Sequence, residues 1–125
     1  MKKFIAESAT YQKHSATTNG MILSAVQSGP MLLIDGVRHP AFRENSVNKL
    51  HRNGVGVDAK GLLVFAITDK DQWVNLWDFA GLFLKLGCRQ ALFLDGDISK
   101  MICNPDKPEP SNPFGAIFVI AEPKL

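Results

Sequence analysis

Short apolar runs separated by turn residues dominate the pattern of this chain. Apolar runs of about four to eight residues that end at Gly, Asp or Pro are typical of strands. The clearest predicted strands are Met31–Ile34, Leu62–Ile67, Ala91–Leu94 and Phe114–Ala121, and the weaker ones are Met21–Val26 and Ser99–Ile102.

The turns between these runs predict two hairpins. Asp35-Gly36 follows the first strand and tolerates the positive φ angles of a two-residue turn, so a partner strand is expected at Val37. A longer turn, Asp58–Gly61, joins Val55–Val57 to the next apolar run. Residues 39–50 show neither the alternation of a strand nor the spacing of a helix, so they are expected to form a long surface loop. Long loops in compact domains are typical of segments that serve a site.

A helix is predicted between Trp73 and Leu86. Asp69–Asp71 offer side-chain acceptors for its N-cap, and Gly87 is placed as its stop. Its apolar positions recur at helical spacing and form the core-facing stripe Trp73, Leu76, Trp77, Ala80, Phe83 and Leu84. A weaker, shorter helix is predicted from Phe4 to Gln12. The order of elements predicts an α+β fold, a mixed, mainly antiparallel sheet with one long amphipathic helix packed on it.

Composition limits the class of protein. A chain of 125 residues suits one domain, 1–125, with an ordinary core. Its 46% apolar and 21% charged residues are typical of soluble globular proteins, and no apolar run approaches the ~20 residues of a membrane span. The net charge of +2, with 14 scattered Lys and Arg residues, argues against nucleic acid as a partner. Cys88 and Cys103 match no zinc or redox spacing and are expected to be reduced thiols.

The first residues bear on localisation. Met1–Glu7 has the cationic start of a secretory signal but no apolar region after it. A cytoplasmic protein is therefore expected if Met1 is the natural start. A periplasmic or secreted protein is expected if the natural chain begins earlier.

Asp95 is the first candidate for chemistry, because it stands where the buried Ala91–Leu94 strand is expected to leave the core. Gly96 follows directly, and Ser99 lies within a turn's reach. The carboxylate either accepts local backbone N–H groups in an Asp-Gly turn or belongs to a site.

Arg52 is the second candidate. It precedes Asn53 and a Gly-Val-Gly segment that ends at Gly56, at the start of a predicted strand. A guanidinium binds phosphate through two parallel hydrogen bonds, and glycines let a ligand approach the backbone closely. The alternative is a solvated loop arginine beside glycines that serve a bulge.

The segment Gln27-Ser28-Gly29 joins two apolar runs and offers an amide, a hydroxyl and unhindered backbone groups. Such a set suits a sugar or a phosphate, although polar turns of this kind are also common without a ligand. Ser28 has no base nearby in the sequence, so a Ser-His-Asp hydrolase is a weak interpretation. The histidines and carboxylates show no metal-ligand spacing, and neither a metal nor a cofactor is expected.

Taken in order, several segments resemble the phosphodiester glycosidase family over residues 24–121, a family that includes many bacterial secreted or periplasmic proteins. The segments that carry the resemblance are 27–36 (QSGPMLLIDG), 52–57 (RNGVGV), 86–96 (LGCRQALFLDG) and 113–115 (PFG). The resemblance implies hydrolysis of the bond between a sugar's anomeric carbon and a phosphodiester oxygen. It implies a phosphorylated carbohydrate or glycan as the partner.

The family's functional positions carry over onto the motif residues of this chain. Arg52 would bind the phosphate, and Asp95 would act at the sugar as a base, a nucleophile or a hydroxyl anchor. The remaining substrate-binding positions implied by the resemblance are Gln27, Ser28, Gly29, Asn53, Gly56, Gly96 and Ser99. A phosphate ester leaves as a stable anion, so one carboxylate and a phosphate clamp can replace the usual pair of carboxylates. This hypothesis requires that Arg52 and Asp95 face one cavity.

Two departures from the family pattern favour an alternative. Asp97 stands where many relatives have a further glycine, and the chain resembles only the C-terminal half of the family's domain. Such a chain would expose sheet edges, so a homodimer or a complementing subunit is expected. The alternative is a truncated, non-catalytic module that binds glycan or phosphate and needs a partner chain. A plain structural domain with an Arg52–Asp95 ion pair is a third interpretation.

Overall fold

The computed structural model describes residues 24–107 and 117–124, and this part of the chain forms five strands and one helix. The elements are β1 (Met31–Ile34), β2 (Val37–Arg38), β3 (Asn53–Asp58), β4 (Leu63–Ile67), α1 (Leu76–Lys85) and β5 (Cys88–Asp95). The strands form one sheet in the order β2-β1-β5-β3-β4, and every pairing found in the described ranges is antiparallel. The predicted α+β class and mainly antiparallel sheet are confirmed, but the described residues contain no parallel pairing of the kind that a mixed sheet would have.

Both predicted hairpins are present. Asp35 and Gly36 have φ angles of 51° and 81°, as a two-residue turn of the I′ type requires, and Ile34 pairs with Val37 across it. The β3–β4 turn is held by the Asp58 carboxylate, which accepts hydrogen bonds from the backbone N–H groups of residues 60 and 62 at 2.8 Å. Local turn chemistry therefore determines these two connections.

The prediction of a long helix is wrong, because α1 has only 10 residues and begins at Leu76. Val74 and Leu50 exchange backbone hydrogen bonds of 3.1 Å in an isolated antiparallel bridge, so the chain is still extended at this point. Asn75 then caps the helix in place of Asp69–Asp71, since its side chain accepts from the Asp78 N–H at 2.8 Å. The prediction that Gly87 ends the helix is confirmed. Gly87 has a φ of 80°, and its N–H donates to the Leu84 carbonyl at 3.0 Å.

The shorter helix also changes the predicted stripe. Phe83 is buried and Trp77 packs partly against the core, but Trp73 is 67% exposed, so its assignment to the core is wrong. Trp73 precedes the cap and therefore never joins the helical face.

Both weaker strand predictions and one of the clearer ones, Phe114–Ala121, are wrong wherever the structure describes them. Residues 24–26, 99–102 and 117–121 have no strand structure. Ser99 instead donates its N–H to the Gly96 carbonyl at 3.1 Å in a turn, and the ring of Phe118 lies 5.4 Å from the ring of Phe65 in the edge strand β4, measured between centroids. Apolar composition alone does not supply a ladder partner. The predicted helix from Phe4 to Gln12 lies outside the described residues.

The core lies between α1 and the sheet, where two glycines of β3 provide space for two aromatic rings. A Cβ on Gly54 would lie 3.2 Å from the Phe79 ring, and one on Gly56 would lie 2.8 Å from the Phe83 ring. The rings pack edge to face, with centroids 5.4 Å apart. The described residues contain no helix of the length and apolarity that a membrane crossing would need.

Candidate functional site

Polar residues from distant segments meet where β5 ends and β3 begins. Asp95 is the register partner of Asn53, because antiparallel strands bring the last residue of one beside the first residue of the other. The Asn53 side-chain amide donates to the Ser99 hydroxyl at 3.2 Å, although these residues are 46 positions apart. The structure thus brings together Asn53, Asp95 and Ser99, which we call the strand-end cluster.

Asp95 makes the local contact of an Asp-Gly turn and is also exposed. Its carboxylate accepts a hydrogen bond of 2.6 Å from the Gly96 N–H, as a local Asp-Gly turn would. The residue as a whole is nevertheless exposed at the end of β5. Gly96 is buried, and a Cβ there would overlap the carbonyl oxygen of His51. The turn after β5 therefore packs directly on the backbone that leads into β3.

Ser28 reaches the same end of the sheet. Its hydroxyl donates to the Leu94 carbonyl at 3.0 Å, and the Pro30 carbonyl accepts from the Phe93 N–H at 3.1 Å. Gln27 and Gly29 are the exposed neighbours of Ser28 on this segment. Segment 27–29 is thus held at the end of β5, one residue before Asp95.

Arg52 is buried, with only 5% of its surface exposed. Its Nε donates to the Val74 carbonyl and its Nη2 to the Asn48 carbonyl, each at 3.1 Å. Two of the five N–H groups of the guanidinium thus bind backbone oxygens, not Asp95 as an ion pair would require. Burial lowers the pKa of Arg52 from its usual value, and the Asp97 carboxylate partly opposes this shift. The side chain remains a cation, since arginine stays protonated in proteins.

Gly56 is not part of this group. It lies farther along β3, opposite Ala91, and a Cβ there would meet the Cys88 sulfur at 2.6 Å. The absence of a side chain at Gly56 is explained by the close approach of α1 to the sheet. A glycine before or within a strand can admit an aromatic ring as readily as a ligand.

A depression of about 420 Å³ lies beside the strand-end cluster. It is lined by Leu50, His51, Lys70, Trp73, Asp97 and Ser99. Ser99 belongs both to this lining and to the cluster, which makes the two features continuous. Neither Arg52 nor Asp95 is among the lining residues, so this depression is not the common cavity for both that the sequence led us to expect.

Residues 4–120 match the family model described as phosphodiester glycosidase. The chain belongs to the phosphodiester glycosidase family. A relative from Escherichia coli strain K12, named "Uncharacterized protein YigE", is 44% identical over 85 residues. That match covers 67% of this chain and 33% of the relative, so the chain spans about a third of the relative's length.

A solved structure gives a further match. The crystal structure of a hypothetical protein from Synechocystis is 24% identical to this chain, with a TM-score of 0.47. The match covers 55% of this chain and 15% of that protein.

In this member of the phosphodiester glycosidase family, several residues near the strand-end cluster were not predicted from the sequence. His51 has its Nδ1 at 2.9 Å from the Thr68 hydroxyl, and this hydroxyl also accepts the Arg52 N–H at 2.8 Å. Lys70 and Trp73 line the depression. One sequence signal could have placed Trp73 outside the helix. Asn75 followed three residues later by Asp78 marks a helix start that lies after Trp73. No group of three metal-ligating side chains occurs within 24–107 and 117–124.

Proposed function

We propose that the protein hydrolyses the bond between a sugar's anomeric carbon and a phosphodiester oxygen. Family membership supports the reaction class. The observation that carries the proposal is the strand-end cluster, in which the Asn53–Ser99 hydrogen bond joins segments 46 positions apart beside the exposed residue Asp95. A carboxylate flanked by an amide and a hydroxyl can act on a sugar and hold its hydroxyl groups.

In this proposal Asp95 acts at the sugar. Water adds to the anomeric carbon and a phosphate monoester leaves as a stable anion, so departure needs little help from a protonated acid, and one carboxylate is sufficient. Asp95 serves as the base, the nucleophile or the anchor of a sugar hydroxyl. Asn53 and Ser99 hydrogen-bond the substrate, with Gln27, Ser28, Gly29 and Gly96 forming the adjoining polar edge.

Arg52 supplies the positive charge of the site. Its Nε and Nη2 bind carbonyl oxygens, so in this proposal the cation acts on the phosphate mainly through its field and not as a two-pronged clamp. Because the guanidinium is buried, water screens that field weakly. A fixed cation of this kind stabilises the negative charge that develops on the departing phosphate monoester.

The alternative function is a glycan- or phosphate-binding module without turnover that needs a partner chain. One observation favours it. Ile117, Val119 and Ile120 are mostly exposed, and the neighbouring Phe118 contacts β4 at the edge of the sheet. Exposed apolar residues beside an open strand edge are typical of surfaces that pair with another chain.

The test is hydrolysis of a panel of sugar-1-phosphodiesters by the purified chain, followed as release of free sugar. Asp95→Asn keeps the size of the side chain but removes its charge, and we expect kcat/KM to fall by about 100-fold or more. Asp106→Asn is the matched control, because it makes the same change at an exposed residue outside the cluster. Circular dichroism of each variant verifies the fold.

The outcomes separate the two functions. Full turnover by Asp95→Asn would remove Asp95 from the mechanism. Saturable binding with no turnover of any panel member by the wild-type chain would contradict the hydrolase and support the binding module. Sedimentation of the same samples shows whether the chain is a dimer.

A further inference from the structure

A groove beside β2 carries three basic side chains. It has a volume of about 470 Å³ and lies between α1 and the segment that runs from β2 to Arg43. Arg38, His39 and Arg43 line it together with Trp77 and Leu84 of α1, and none of its nine lining residues is acidic. We call this feature the β2 groove. It shares no lining residue with the depression beside the strand-end cluster.

The guanidinium of Arg38 is held in place by α1. Its Cζ lies 4.4 Å from the centroid of the Trp77 ring, and its Nε donates to the Trp77 carbonyl at 3.1 Å. Gly81 makes room for it, since a Cβ there would lie 2.6 Å from Nη2. Within the described residues the two Nη groups bind no acceptor, and they are not buried. They are therefore available to a ligand.

His39 and Arg43 add further donors. The His39 Nδ1 accepts the Ala41 N–H at 3.2 Å, so the neutral ring carries its proton on Nε2 and donates from there. Arg43 is exposed, and only its Nη1 binds carbonyl oxygens of the described residues, which leaves Nε and Nη2 for a ligand.

Three acidic residues neighbour lining residues in the sequence, and none of them lines the groove. The Asp35 carboxylate accepts the side-chain amide of Gln90 at 2.7 Å. Glu44 and Asp78 are exposed to solvent. The donors of the β2 groove thus face no carboxylate in its lining, and the groove favours an anionic ligand.

The backbone of β2 favours a peptide over a small anion. β2 is the outermost strand of the sheet that the described residues form. The His39 N–H donates to the Leu32 carbonyl of β1 at 3.2 Å, and backbone groups alternate in direction along an antiparallel strand. The N–H and C=O of Arg38 therefore point to the open side of β2. An extended peptide can pair there through main-chain hydrogen bonds.

The same alternation defines the side chains of the peptide. A residue paired with Arg38 places its side chain on the face that carries the guanidinium. Its two neighbours fall on the other face, where Val37, 67% exposed, offers an apolar contact. The pairing is short, because Pro40 has no N–H to extend it. A nucleic acid base would need a free aromatic face, and Arg38 covers the Trp77 ring.

We propose that the β2 groove binds a short extended segment of a partner protein in which acidic and apolar residues alternate. The acidic side chains lie beside Arg38, His39 and Arg43, the apolar ones lie against Val37, and the main chain pairs with Arg38. This interaction goes beyond the proposed hydrolysis and uses none of its residues.

The probe is the peptide acetyl-Glu-Val-Glu-Val-Glu-amide, titrated into Trp73→Phe, in which Trp77 is the sole tryptophan. A saturable change in emission is expected, because a carboxylate bound to Arg38 lies next to the Trp77 ring. Two altered peptides separate the contributions. The counterpart with Gln at each Glu position lacks the charges, and N-methylation of the central Glu removes the main-chain donor. Each is expected to bind about tenfold more weakly.

Variants of the protein locate the site. Arg38→Gln and Arg43→Gln are each expected to weaken binding of the probe by about tenfold. Gly81→Ala keeps every charge but displaces the Arg38 guanidinium, so it should weaken binding without lowering the Tm, since alanine favours a helix more than glycine does. Lys60→Gln is the matched control, because it removes one exposed positive charge at the opposite edge of the sheet. Thermal unfolding of each variant verifies the fold.

Several results would overturn the proposal. These are no saturable binding of the probe, equal affinity for either altered peptide, or an unchanged affinity in both Arg38→Gln and Gly81→Ala. Oligothymidylate that binds more tightly than the probe, and only while Arg38 is present, would replace the peptide by a nucleic acid. Hydrolysis of sugar-1-phosphodiesters should be unchanged in all these variants, so its failure and the failure of peptide binding are distinguishable.

Discussion

Replacing Gly96 by alanine tests the contact on which the strand-end cluster is built. Gly96 is buried, and an added Cβ would overlap the carbonyl oxygen of His51 and lie 3.2 Å from its carbonyl carbon. The obstructing atoms belong to the backbone just before β3, so no rotamer change can relieve the overlap. The turn after β5 must instead move away from the start of β3.

The cost of this movement can be worked from the structure. Overpacking a close contact costs about 1–3 kcal/mol, and a backbone neighbour that cannot rotate places Gly96→Ala at the upper end, about 3 kcal/mol. At about 4 °C per kcal/mol for a domain of this size, the Tm should fall by about 12 °C. The same movement separates Asn53 from Ser99, whose hydrogen bond is 3.2 Å long, so turnover should fall as well.

Thermal unfolding followed by circular dichroism measures the effect. Gly29→Ala is the matched control, because a Cβ there would meet none of the described atoms within 4 Å, and we expect it to change stability by at most about 0.5 kcal/mol. A fall in Tm for Gly96→Ala no larger than that of the control would refute the close packing of the turn on His51.

Three further predictions concern Cys88 and Arg52, two buried groups whose pKa values are shifted. Burial raises the pKa of the Cys88 thiol, and the Asp58 carboxylate raises it further. In the native protein a thiol reagent should therefore rapidly label only one cysteine, the exposed Cys103. In urea it should label both cysteines. The raised pKa of Cys88 stabilises the fold at pH values below the unfolded-state thiol pKa of about 8.5. This contribution is lost as the pH rises toward the folded-state value. The stability of Cys88→Ala should therefore fall less steeply at alkaline pH than that of the wild-type protein. Arg52→Lys and Arg52→Ala should each lose about 2–3 kcal/mol of stability, because two backbone carbonyl oxygens lose the guanidinium that donates to both. Only Arg52→Ala removes the positive charge, so only this variant should lower kcat strongly. Equal kcat losses in both would contradict a role of Arg52 through its field.

The parts of the fold that the sequence predicts well depend on local chemistry. The Asp35-Gly36 turn needs two positive φ angles, and Gly87 ends the helix, so both are marked by residue type. The start of α1 was misplaced because the apolar spacing continues through Trp73, whereas the Leu50–Val74 bridge keeps the backbone extended. That bridge joins residues far apart in the sequence, and no local pattern reports it.

The candidate site, like the fold, was predictable from the sequence in some parts and not in others. Asn53, Asp95 and Ser99 could be grouped from the order of their motifs, and the structure places them together at the end of the sheet. Gly56 could not be separated from them, because a glycine that admits the Phe83 ring and one that admits a ligand are identical in sequence.

The position of Arg52 explains how a buried charge can shape a surface site. Its guanidinium bonds the carbonyls of Asn48 and Val74, and its backbone N–H bonds the Thr68 hydroxyl that orients His51. These contacts join the segments that carry Leu50, His51, Lys70 and Trp73, which line most of the depression. A buried charge is costly unless hydrogen bonds compensate it, so the fold is stable only with these segments in register around the guanidinium. Arg52 therefore sets the shape of the depression and its electric field together, and a lysine, which lacks the planar fork, can restore only the field.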